Sequence, residues 1–446
     1  MKPEPTKQPS VAETPILSLT DLSVHFALRG SALGRLVGRS AGSVKALDGV
    51  SLDVMPGEVV GLVGESGSGK STLGRSVLGL APVAGGSIKY RGSEISGLRE
   101  AAMRPLRRKL QMIFQDPHAA LNPSMTVEQA ISDALRIHGV PAQDRHAQVA
   151  EALERVGLAP VERFAPKYPV ELSGGQKQRA VIARAIALGP EVLVADEPIS
   201  MLDMSVRAKI LALMQELRTD LGISFIYITH DLASARFFCD RVAIMYLGKI
   251  VEIGSADEIF ANPRHPYTQA LLKAIPDVSI VGGPPAELPR GEIPDAARPP
   301  QGCPFHPRCP KAFGVCGWEA RDLRVVLEER WTTVDITVYE SESALFPAVD
   351  DIVTVDRVAL LRTPRAMEAI RTLEAIRREN PAEPFFTGLV HMVAAPGGVR
   401  LEFAESHRPV LLPIISVSGA SPASVACHLY ADVQAVPTDG AVPAGR

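Results

Sequence analysis

The chain has 446 residues, 46% of them hydrophobic and 22% charged, with a formal net charge of −3. That length is a prior of about two to three domains with ordinary cores. The near-neutral charge excludes a general nucleic-acid binder, which needs a basic footprint.

The N-terminal "MKPEPTKQPSVAETP" is polar and proline-rich and lacks the apolar segment of a signal peptide, so residues 1–14 read as a disordered lead. Next, "ILSLTDLSVHF", "SVKALDGVSLDV" and "EVVGLVG" read as strands, the first two separated by a Gly/Arg/Ser-rich loop over 28–42. A helix is expected from Ser71 to Leu80, a β segment at "SIKYRG", and a strand running into a loop at "RRKLQMIFQD". Helical periodicity fills 124–170 in "VEQAISDALRIHG" and "RHAQVAEALERVG", and returns in "QKQRAVIARAIAL". The continuous apolar runs "EVLVAD" and "ISFIYITH" are strands of the parallel-sheet type, and "RVAIMYLGKIVEIG" is a hairpin turning at Gly248. This alternation predicts an α/β fold.

After Gly254 the composition changes. Residues 262–310 are proline-rich, and 320–420 read as a separate small α/β unit. There "TTVDITVY" and "DIVTVDRVALL" look strand-like, "PRAMEAIRTLEAIRREN" is an amphipathic helix, and "LVHMVAAPGGVRLEFAE" is a hairpin around Gly397–Gly398. No stretch reaches the roughly 18 to 20 apolar residues of a membrane span. A cytosolic location is expected, where paired disulfides are rare and clustered cysteines lean toward metal binding.

Residues 64–71, "GESGSGKS", fit the phosphate-binding pattern G-x-x-x-x-G-K-[ST] between a strand and a helix. Backbone N–H groups from Gly64, Glu65, Ser66, Gly67, Ser68 and Gly69 can surround phosphate oxygens, aided by the helix N-terminus that carries Thr72. Lys70 can reach the β- and γ-phosphates and Ser71 can ligate Mg²⁺. "VLVADEP" ends a buried strand in Asp196 and Glu197, on the side of an open α/β sheet where ligands bind. Asp196 is placed to hold Mg²⁺ and Glu197 to act as general base on water. "LSGGQKQR" puts Ser173, Gly174, Gly175 and Gln176 at another helix N-terminus, a second phosphate device in a chain with one P-loop.

"LSGGQKQR" resembles the signature of ATP-binding cassette (ABC) proteins. The resemblance implies a RecA-like core, an antiparallel β subdomain and a helical subdomain at about 120–180. It also implies that the signature closes on ATP held by a second cassette in a head-to-tail dimer. In that order Gln115 of "MIFQDP" is the Q-loop residue, near Mg²⁺ and the lytic water. Asp203 of "SMLD" acts across the dimer, His230 of "YITHD" contacts the γ-phosphate, and Phe26 is either an adenine-stacking aromatic or a strand core residue. Ile199 and Met201 depart from the usual residues around Asp203, but the polar groups for hydrolysis are all present.

"FQDPHAALNPSMTV", "NPRHPYTQALLKAIP" and "GCPFHPRCP" resemble the ATPase of oligopeptide/dipeptide importers. This implies two integral membrane permease subunits, an extracytoplasmic peptide-binding protein, no nucleic acid, and a peripheral place on the cytoplasmic membrane face. A soluble translation or repair ATPase and an exporter ATPase are the alternatives. The expected division is 15–262 cassette, 263–319 importer C-terminal region with three cysteines, 320–422 inserted α/β unit, and 423–446 a final segment with Cys427. In the family, three cysteines and a "VACH" cysteine hold a [4Fe–4S] cluster. Cys303, Cys309, Cys316 and Cys427 would correspond across the insert, with zinc or no metal as alternatives and His306 and His428 as substitute ligands. Cys239, alone in an apolar context, reads as a buried structural thiol.

Overall fold

The computed structural model describes residues 14–28, 43–274, 289–347, 349, 352–414 and 423–430. The expected N-terminal lead and most of the loop over 28–42 lie outside them. The chain divides into two compact units, Met1–Ala261 and Asn262–Arg446.

In the first unit the described strands are β1 (Leu17–Ala27), β2 (Ser43–Val54), β3 (Val59–Val63), β4 (Gly85–Tyr90), β5 (Ser93–Glu94), β6 (Leu110–Ile113), β7 (Val192–Asp196), β8 (Ser224–Thr229), β9 (Arg241–Tyr246) and β10 (Lys249–Ser255). They make two sheets. One is antiparallel, in the order β2-β1-β4-β5. The other carries the order β10-β9-β3-β8-β7-β6, parallel from β9 to β6 with β10 antiparallel at its side. Every residue of β3, β7 and β8 is buried. Such largely apolar runs fold this way because a parallel strand has both faces covered.

The helix Lys70–Val77 follows β3 and is shorter than the span expected to Leu80, since Leu78 already leaves helical geometry. Gly74 lets it approach the sheet: a Cβ there would lie 2.7 Å from Val194 Cγ1 and 3.0 Å from Ile228 Cδ1. Helices Val127–Ile137, Ala142–Arg155 and Gly174–Ile186 form the helical part. The first is nucleated by a reciprocal cap, in which Thr126 Oγ1 accepts from Gln129 N and Gln129 Oε1 accepts from Thr126 N.

The second unit contains helices Pro266–Lys273, Ala320–Trp331, Ile336–Ser343 and Ala366–Glu379. Its strands β11 (Thr354–Val355), β12 (Val358–Arg362), β13 (Leu389–Ala395) and β14 (Gly398–Phe403) form an antiparallel sheet ordered β11-β12-β14-β13. Strands β15 (Leu412–Ile414) and β16 (Ala423–Val425) pair antiparallel. The helix at Ala366 and the hairpin at Gly397–Gly398 stand where the sequence puts them.

Two readings are corrected. "TTVDITVY" is not a strand; its latter half opens the helix Ile336–Ser343. "DIVTVDRVALL" is not one strand but a tight hairpin, with Asp356 and Arg357 both at positive φ, 46° and 66°. A turn of that hand needs left-handed backbone at both central positions, usually supplied by Asn or Gly.

An aromatic chain runs through this unit. Trp318 meets His306 (ring centroids 4.8 Å apart) and Phe385 (6.0 Å), and Phe385 meets Phe403 at 6.0 Å. The cysteine-bearing stretch and the β13–β14 hairpin therefore share one core.

Candidate functional site

The loop between β3 and the helix at Lys70 is built from backbone that only glycine allows. Gly69 has φ of 102°, and a Cβ there would lie 2.3 Å from Ala46 O; a Cβ on Gly64 would lie 2.2 Å from Met245 O. A residue that the sequence shows only as a hairpin turn completes the cradle: Gly248 N donates to Ser68 O at 3.0 Å, and Asp48 N donates to Gly248 O at 3.0 Å. The glycine was legible; its partner across the sheet was not.

Inside this loop Lys70 folds back on its own backbone. Its Nζ donates to Gly64 O at 2.7 Å, Glu65 O at 2.8 Å and Ser68 Oγ at 3.3 Å. Burial lowers its pKa, opposed by the carboxylates of Glu197, Asp196 and Glu65. Ser66 and Gly67 are exposed at the loop tip. Ser71 Oγ donates to Asp196 Oδ1 at 2.8 Å. Asp196 is buried at the end of β7, and burial pushes its pKa up against the Ser71 bond and the charge of Arg75.

Glu197 follows in left-handed backbone, φ 47°, with its N–H donating to Ile228 O. Each carboxylate oxygen has one partner: Gln115 Nε2 donates to Oε2 at 3.1 Å, and His230 Nδ1 lies 3.2 Å from Oε1. Lys70, Ser71, Gln115, Asp196, Glu197 and His230, spread over 160 residues (230 − 70) of sequence, thus meet around one loop. Phe26 pairs with Val44 across β1 and β2 and is 41% exposed, so it is not a core residue of its strand.

Ser173 caps the helix Gly174–Ile186, accepting from Gln176 N while Gln176 Oε1 accepts from Ser173 N. A Cβ on Gly174 would lie 3.6 Å from Leu202 Cδ2, and one on Gly175 2.7 Å from Val206 Cγ1, so this loop packs against the segment bearing exposed Asp203. Among the described residues, no hydrogen bond or ion pair joins Ser173, Gly174, Gly175, Gln176 or Asp203 to the cluster around Lys70.

Residues 47–200 match the ABC transporter family, and residues 251–316 match the oligopeptide/dipeptide transporter C-terminal region. A Brucella ovis protein named for peptide import ATP binding is 44% identical over 319 residues, which cover 71% of this chain and 96% of that protein. The chain belongs to the ATP-binding proteins of oligopeptide/dipeptide ABC transporters. The oligopeptide transport ATP-binding protein AppF of Bacillus subtilis is 45% identical over 305 residues, 68% of this chain and 91% of AppF. A dimeric post-hydrolysis structure of the ATP-binding cassette MJ0796, bound to ADP and Pi, covers 54% of this chain and 98% of that one at 28% identity and a TM-score of 0.47.

In this ABC protein the family match ends at Cys316, the third clustered cysteine. Cys303 N donates to Cys316 O at 2.8 Å. The two strands of chain cross so closely that a Cβ on Gly317 would lie 2.1 Å from Gln301 O. Burial pushes the Cys303 thiol up, and Cys316, Cys427 and Cys309 add to the shift; burial likewise raises Cys309 to about 12. Cys427 and Cys316 likewise add to the Cys309 shift, whereas burial alone raises Cys316. Their chemistry suits a soft metal, yet among the described residues no group of three or more His, Cys, Asp or Glu is arranged to hold a metal ion. The thiols as placed do not form a ready-made cluster site. His306 is not a substitute ligand: its Nδ1 is 2.8 Å from Cys303 O and its Nε2 is 3.2 Å from Asp322 Oδ2. Cys239 is buried against Gly61, with burial raising its thiol pKa.

Proposed function

We propose that this chain is the ATPase subunit of a peptide importer, converting ATP binding and hydrolysis at a pair of cassettes into peptide uptake through membrane permease subunits. The observation that carries the reading is the meeting of the Ser71–Asp196 hydrogen bond with a Glu197 carboxylate held by both Gln115 and His230, in a chain whose C-terminal region matches the oligopeptide/dipeptide class.

The site works as follows in this reading. The N–H groups of residues 64–72 take the phosphates, and Lys70 exchanges its contacts with Gly64 O and Glu65 O for the β- and γ-phosphate oxygens. Ser71, Gln115 and Asp196 would hold Mg²⁺, which neutralises phosphate charge when bound. Glu197 accepts the proton of the attacking water, its carboxylate aimed by Gln115 and His230. His230 also meets the γ-phosphate, and the exposed Phe26 stacks on the base. Ser173, Gly174, Gly175, Gln176 and Asp203 act on nucleotide in a partner cassette.

The partners in this reading are two permease subunits, a second cassette chain and an extracytoplasmic binding protein, with the chain on the cytoplasmic membrane face. No helix among the described residues is long and apolar enough to cross a membrane. Affinity capture from detergent-solubilised membranes tests it: recovery of permease subunits supports the importer, whereas recovery with ribosomes, or with no membrane protein, overturns it. A [4Fe–4S] cluster on Cys303, Cys309, Cys316 and Cys427 is the finer part of the same reading; it rests on the soft-metal chemistry of the thiols and requires them to move from their present positions. Iron and acid-labile sulfide in an anaerobic preparation would establish it; a colourless protein lacking both, or containing zinc, removes it.

A further inference from the structure

The sheet β11-β12-β14-β13 has one covered face and one open face. Helix Ala366–Glu379 buries Ala369, Ile370, Leu373 and Ile376, and packs on β13 and β14. Ala359, Leu361, Val399 and Leu401 are buried on that side. The register fixes what lies on the other. Three rows cross three strands there: Arg362–Gly398–Ala395, Leu360–Arg400–Val393 and Val358–Glu402–His391. Val355 stands beside Val358. Val355, Leu360 and Val393 are 65%, 42% and 50% exposed.

A half-covered antiparallel sheet ordinarily turns polar residues to water. This one turns out aliphatic side chains around Arg400 and Glu402 on its middle strand, with Arg362 on the same face at the end of β12. Arg400 and Glu402 occupy the middle strand, on one face, about 6.6 Å apart along it. Neither makes an ion pair or side-chain hydrogen bond with another described residue.

We propose that this open face is an interface with a second copy of this chain. Consider two such sheets packed face to face about a two-fold axis perpendicular to β14, passing between residues 400 and 402. The axis reverses the strand direction and keeps each column in place. Arg400 then faces the partner copy's Glu402, Leu360 faces its Val358, and Val393 faces its His391, each contact made twice. An axis parallel to the strands would instead set Arg400 against Arg400. Charge therefore selects one arrangement, an isologous contact of aligned sheets. The patch is small, so its effect grows when other parts of the chain are already paired and the contact becomes intramolecular.

The test uses the full chain without nucleotide, so that ATP-driven pairing does not contribute. Sedimentation equilibrium should show a reversible dimer. Arg400→Glu, and separately Glu402→Arg, should each weaken it at least about tenfold, because each sets like charges face to face. An equimolar mixture of the two variants should recover a mixed dimer, since one copy then offers two carboxylates and the other two guanidinium groups. The double variant should recover the homodimer. A monomeric wild-type chain overturns the proposal. So do single reversals that leave the dimer unchanged, or a mixture no tighter than its components.

Discussion

At the residue scale Glu197 has the most at stake. It pays for its place with left-handed backbone, φ 47°, a conformation that costs a non-glycine residue about 1 kcal/mol or more. Gln115 and His230 then fix the carboxylate. In the proposed mechanism, Glu197→Gln keeps the shape and removes the base. Steady-state ATPase activity should fall about 10²- to 10⁴-fold while nucleotide binding persists. Lys70→Ala should instead lose the binding itself, read by fluorescent nucleotide titration. Gly69→Ala forces a Cβ to 2.3 Å from Ala46 O at a φ of 102°. A stability loss of about 2 kcal/mol or more, seen as an earlier thermal midpoint, is expected. Gly69 and Lys70 were legible because phosphate chemistry demands them at fixed spacing, and Glu197 because it follows the end of a buried strand. The role of Gly248 was not, because its bond to Ser68 joins positions 180 residues apart (248 − 68), which no local pattern encodes.

At the element scale, legibility followed how much of an element's fate is local. The buried strands β3, β7 and β8 announce themselves, since few structures other than a parallel sheet need such runs. "ITVY" carries four β-favouring residues and still becomes helix. What decides it lies elsewhere: Glu342, on the same helix, is buried and accepts from Arg330 Nε at 2.9 Å and Trp331 Nε1 at 3.1 Å. Tertiary pairing outweighs a propensity worth tenths of a kcal/mol per residue. Another such pairing anchors β4. Glu191 Oε2 accepts from Tyr90 Oη and Arg91 Nε at 2.6 Å each, and Lys109 Nζ is 3.1 Å from Oε1. Partial burial raises the Glu191 pKa, but these three donors outweigh it and bring it down to about 2 from 4.5. A carboxylate whose folded pKa is depressed stabilises fully above its unfolded pKa and loses that contribution as pH falls. Stability should therefore decline from about pH 4.5 toward pH 2, by about 1 kcal/mol once solvent screening is allowed for. Glu191→Gln should flatten that part of the pH–stability curve in denaturant titrations.

At the scale of the whole molecule, the residues read as an insert are not a detachable bead. Trp318 packs on Phe385 and on His306, and His306 reaches Asp322. Excising residues 320–422 would leave Trp318 without Phe385 and His306 without its carboxylate. The expected result is a second unit that no longer folds, with Trp318 fluorescence shifted to the red and rapid proteolysis after residue 261. A deletion that leaves a compact, protease-resistant second unit would refute this. The same interleaving has a consequence in time. The chain reaches Cys303, Cys309 and Cys316 well before the residues that enclose them, and Cys427 trails Cys316 by 111 positions (427 − 316). At a synthesis rate of about 5–20 residues per second, that gap lasts about 6 to 22 s. For that interval three thiols that end up buried stand open to oxidants and to metal donors, before the fold exists to protect them.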